Sequence, residues 1–103
     1  MKFQYRQGDV FLIKVEQLPT SAQEEVGLDP IVLAYGEVTG HSHAINKDDA
    51  KMYRHGEENY LVVKTKAKLV HEEHDPITLL TGVYKIVRQR EYEPVRGFEF
   101  VTD

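Results

Sequence analysis

The sequence predicts an all-β fold, a single compact barrel or sandwich of short antiparallel strands spanning residues 1–103. Three observations lead there. β-branched and aromatic residues gather in short runs. Gly, Pro, Asn and Asp separate those runs at close spacing. No window of about a dozen residues carries the 3.6-residue apolar period of a helix. The 103 residues suit one domain, and a chain of this size buries roughly two-thirds of its unfolded surface.

The elements follow in order. Gly8-Asp9 reads as a turn into a buried run, Val10 to Val15. Leu18 to Pro30 has little alternation and prolines at both ends. It predicts a long loop, with an optional helical turn capped by Thr20 or Ser21. Pro30 opens a strand from Ile31 to Val38. Lys51–Arg54 and Tyr60–Thr65 flank a hairpin connection that holds Gly56 and Asn59. Ala67–Glu72 is a further strand and Asp75-Pro76 a turn. Ile77–Leu80 is a short strand, Thr81-Gly82 a turn, and Val83–Tyr92 a long strand ended by Pro94. Phe98–Val101 closes an edge. Tyr35, Tyr53, Tyr60, Tyr84 and Phe98 are expected in the core or at its rim.

Composition excludes several functions. With no cysteine there is no disulfide framework, thiolate metal site or cysteine nucleophile. The chain has 13 Lys+Arg and 17 Asp+Glu, a net charge of −4. That balance gives no reason to expect nucleic acid or an anionic membrane as partner. The first residues lack the apolar stretch of a signal peptide and no run is long enough to span a bilayer, so the expected location is cytoplasmic.

Four of the five histidines fall in two short clusters. Gly40-His41-Ser42-His43 forms the first and His71-Glu72-Glu73-His74-Asp75 the second. Residues two apart on a strand share a face, so His41 and His43 present paired imidazoles, the geometry of half a metal site. His71 and His74 face the same way only if the strand ends or bulges between them, which Asp75-Pro76 favours. The expected metal ligands are therefore His41, His43, His71 and His74. Glu37, Glu72 and Glu73 are candidates to ligate, to orient a ligand or to move a proton. Nitrogen and oxygen donors suit a divalent transition metal, whether Zn, Fe, Mn, Ni or Cu.

Other features read more plainly. Arg88, Arg90 and Tyr92 share a strand face that would suit an anion or a protein partner, or pair with carboxylates of a neighbouring strand. Lys64, Lys66 and Lys68 share another face, the pattern that protects an edge strand from aggregation. No phosphate-binding loop, nucleophile elbow or zincin helix is present.

Gly36-Glu37-Val38-Thr39-Gly40-His41-Ser42-His43, His71-Glu72-Glu73-His74-Asp75-Pro76 and Arg88-Gln89-Arg90-Glu91-Tyr92 together resemble an uncharacterised family of small bacterial and phage-associated proteins. The resemblance runs from Gly8 to Pro94 and implies no particular activity. The chain is also loosely similar to cupins, whose first motif pairs two histidines as His41 and His43 are paired here. His71 would then play the later cupin histidine. The cupin glutamate is missing at its usual distance, where Asn46, Lys47 and Asp48 stand. These readings predict a metal-binding β-domain, with a small-molecule ligand at any open coordination position. The competing expectations are a metal-free interaction or homo-oligomerisation module, and a hydrolase or lyase that uses paired imidazoles as acid and base.

Overall fold

The structure, a computed structural model, describes residues 4–35, 41–88 and 101–102. Nine strands and no helix lie among them. They are β1 (Gln4–Gln7), β2 (Val10–Val15), β3 (Gln23–Glu24), β4 (Ile31–Tyr35), β5 (Ser42–Ile45), β6 (Ala50–His55), β7 (Glu58–Leu69), β8 (Ile77–Arg88) and β9 (Val101–Thr102). Seven form one sheet in the order β3-β6-β7-β8-β2-β1-β9, and β4 and β5 form a second, two-stranded sheet. Neighbours are antiparallel except β1 and β9, which pair in parallel. The arrangement is an open sandwich and not the closed barrel that a cupin would form. No helix is long and apolar enough to cross a membrane.

Alternation explains the core. On β1 Tyr5 and Gln7 turn inward, and on β7 Leu61, Val63, Ala67 and Leu69 do. These meet Leu12, Leu79 and Tyr84 from the large sheet and Ile31 and Ile45 from the small one, in one apolar cluster. The Tyr5 and Tyr84 rings meet edge-on at 5.7 Å. Tyr60 is buried with them, whereas Tyr35 is 64% exposed and corrects its expected place in the core. Phe98 lies outside the described residues, and so does the last part of the expected strands Ile31–Val38 and Val83–Tyr92.

Four expected elements differ. The hairpin turn is tighter than predicted, with β6 running to His55 and β7 starting at Glu58. The Leu18–Pro30 loop has no helical turn. Ala22 donates to the Pro19 carbonyl in a β-turn, and Gln23–Glu24 then adds to the edge of β6. The two strands expected over Tyr60–Glu72 are one, which ends at Leu69. Thr81-Gly82 is no turn but the interior of β8, where Lys64 and Thr65 of β7 together oppose Thr81. This bulge is pinned by the Thr81 hydroxyl, which donates to the carbonyls of Lys64 (3.0 Å) and Thr65 (2.7 Å). Lys64, Lys66 and Lys68 are exposed. They lie on an interior strand, but beyond Val63, where the ladder to β6 stops.

Candidate metal centre

One backbone contact brings the two histidine clusters together. Ala44 of β5 and Val70, just past β7, exchange both N–H···O bonds at 2.9 Å in an antiparallel bridge. Continuing that register outward sets His43 opposite His71, Ser42 opposite Glu72 and His41 opposite Glu73. The side chains agree. The His43 and His71 rings lie 4.4 Å apart between centroids, and His41 Nδ1 faces Glu73 Oε1 at 3.3 Å. Glu72 Oε2 accepts the Ser42 N–H at 3.0 Å.

The end of β7 draws in the fourth histidine. Residues 71–74 bend, and the His71 and His74 rings then stand 4.7 Å apart. His71 Nδ1 caps the bend, accepting the N–H of Glu73 at 3.0 Å and of His74 at 3.4 Å. A neutral His71 in this state therefore carries its proton on Nε2. His41 meets His71 edge-on at 5.6 Å, and His74 lies parallel to His43 at 6.0 Å. Ligand atoms of His41, His71 and Glu72 lie within 4.8 Å of one another, close enough to share one metal ion.

The β1–β2 turn supplies the floor. Gly8 has φ of +59°, and a Cβ there would stand 2.6 Å from His74 Nε2. Only glycine meets both the left-handed backbone and the ring lying against it. Asp9 next to it turns Oδ1 to His43 Nε2 at 3.4 Å, while Oδ2 accepts from Arg88 Nε at 2.7 Å. Gln7, fully buried, donates its amide N–H groups to the carbonyls of Leu69 and Asp75, both at 3.0 Å. Its Oε1 is thereby aimed at His43 Nδ1, 2.9 Å away. Since an amide oxygen only accepts, His43 carries a proton on Nδ1.

Electrostatics follow from these partners. Burial, helped by the neighbouring His71, holds His43 below the ordinary imidazole value, although Asp9 pulls the other way. Burial opposes ionisation of Asp9, but the Arg88 hydrogen bond and charge outweigh it and keep the carboxyl below its usual range. The Ser42 N–H, with backbone and histidine partners, lowers Glu72 similarly.

Of the residues singled out in the sequence, His41, His43, His71, His74, Glu72 and Glu73 lie in this cluster. Glu37, Arg90 and Tyr92 lie outside the described residues. Arg88 pairs with the Asp9 carboxylate, the plainer of its two readings. Sequence reasoning missed Gln7 and Asp9. Gln7 had a signal, because it sits two residues after the inward Tyr5, whereas Asp9 showed only as part of a turn.

The fold and the cluster define a class: an open β-sandwich with interleaved histidines and carboxylates between a hairpin turn and a strand end. The chain belongs to the family described as domain of unknown function DUF8820, matched over residues 6–89. No curated protein and no solved structure matches it.

Proposed function

We propose that this protein binds a divalent transition metal through His41, His71 and Glu72, in a centre walled by His43 and His74. The observation that carries the reading is the convergence of three ligand-type atoms within 4.8 Å, from segments thirty residues apart joined by one bridge. Two imidazoles and one carboxylate suit zinc or non-haem iron chemistry. Three protein ligands would leave a coordination position for water or an oxygenated small molecule, the arrangement of a Lewis-acid centre and not of a closed structural site. Glu73 facing His41 Nδ1 resembles the carboxylate that usually orients a metal-bound histidine.

The test is elemental analysis of untagged protein, purified without chelator and also reconstituted with Zn²⁺ or Fe²⁺, beside His41→Ala and Glu72→Gln. The expected result is near-stoichiometric metal in the parent chain and loss of this ion in both variants, with thermal unfolding still cooperative. A parent chain that stays metal-free after reconstitution overturns the reading.

A further inference from the structure

From the Asp9–His43 pair we infer a second cation seat beside the first, so that the cluster is a two-metal centre. The inference extends the proposed function and rests on different atoms. Gln7 is the starting point. Both its amide hydrogens are committed to backbone carbonyls, which leaves Oε1 as the only group it can turn to His43 Nδ1. The Nδ1 proton is fixed by that contact, and Nε2 is the ring atom directed at Asp9.

A neutral His43 therefore opposes a lone pair on Nε2 to a carboxylate oxygen, two acceptors with nothing to donate between them. The separation matches a cation between them better than a direct bond. Charge-assisted N–H···O contacts run at about 2.7–2.9 Å. Two ligands of a tetrahedral ion with bonds of ~2.1 Å stand about 3.4 Å apart. The observed Nε2···Oδ1 distance is 3.4 Å.

The surroundings fit a seat with support on both sides. Arg88 grips Asp9 by Oδ2, so Oδ1 stays turned to His43, although its positive charge makes this the weaker of the two seats. The His74 ring, against Gly8, is the nearest candidate for a third ligand. The seat adjoins the first, because His43 and His71 are ring neighbours at 4.4 Å. Paired catalytic metals stand about 3.5–4 Å apart and share a bridging oxygen. A centre of that type suits an anionic, oxygen-rich ligand such as a phosphate ester or carboxylate, held by both ions.

The experiment is Zn²⁺ titration of chelator-treated full chain by calorimetry, checked by elemental analysis after dialysis, with Asp9→Asn and Glu72→Gln. The expected result is about two equivalents in the parent chain, falling to about one in each variant. One equivalent that survives Asp9→Asn but not Glu72→Gln overturns the second seat and leaves the first intact. One equivalent with the opposite dependence keeps the Asp9–His43 seat and overturns the proposed ligand set. No binding in any chain overturns both. A measurement on the parent chain alone guards against a misfolded variant. Two Co²⁺ ions a few ångströms apart couple magnetically, so an electron paramagnetic resonance signal well below that of the same Co²⁺ in isolated sites is expected. Full intensity at saturation overturns the paired centre.

Discussion

Gln7 shows how one buried polar side chain organises a site. Its amide ties the end of β7, through the Leu69 carbonyl, to the Asp75 carbonyl beyond the bend and to the His43 ring. Replacing it with leucine keeps the volume but strands two carbonyls and a ring N–H in the interior. Each such loss costs about 1–3 kcal/mol, with partial relief from water. Gln7→Leu is expected to lower unfolding stability by about 2–4 kcal/mol, read from urea titration. A change under about 0.5 kcal/mol would show that the bonds carry no net weight. At this scale the sequence was partly legible. Paired imidazoles on an extended segment follow from the period of two. That Gln7 serves His43 does not, because 36 positions separate them and only the β5–Val70 bridge closes the distance.

The strand ends and the bulge decide what the elements do. The bend at 71–74 is capped by His71 Nδ1, and that cap conflicts with metal binding. If the metal takes Nε2, the proton of a neutral ring must move to Nδ1, which then no longer accepts from the amides. If the metal takes Nδ1, the lone pair is spent on the ion. Either way the Glu73 N–H loses its partner. Adding metal is thus expected to shift the Glu73 and His74 amide resonances more than those of β2, in a ¹⁵N correlation spectrum. Unmoved Glu73 and His74 amides at saturation would exclude His71 as a ligand. The other misread element, Thr81-Gly82, has a physical cause as well. Inward positions on β8 are odd at Ile77 and Leu79 but even at Tyr84, because the bulge on β7 adds one residue there. A change of phase beside a glycine looks like a turn in a sequence, and only the partner strand reveals it as a bulge. The Val10–Val15 strand, which carries no such irregularity, has the bounds its composition suggests.

At the scale of the molecule, the sandwich depends on the same residues that close the core above the site. The all-β class was legible because strand composition and turn spacing are local. The strand order was not, since it depends on which of several edges each hairpin chooses. Tyr84 lies where β7, β8 and β1 meet, fully buried, with its hydroxyl donating to the Leu80 carbonyl at 2.7 Å. The Tyr5 hydroxyl in turn accepts from the Leu80 N–H at 3.4 Å. Burial, with Tyr5 adding to it, pushes the Tyr84 phenol well above its ordinary value of 10.0. Because the folded value is the raised one, the native state holds the phenol proton after the unfolded chain has begun to lose it. The contribution of Tyr84 is therefore complete below about pH 10 and is lost progressively as pH climbs from there toward the folded value. Tyr60, raised by its bond to Glu58, acts in the same direction. The expected outcome is a fall in the urea midpoint above pH 10, with a slope of at most about 1.4 kcal/mol per pH unit for each such group. Tyr84→Phe should start lower at pH 8, for want of the bond to Leu80, and then fall less steeply through alkaline pH. Parallel profiles for the two chains would mean that Tyr84 ionises freely in the folded state, which its burial in the core does not allow.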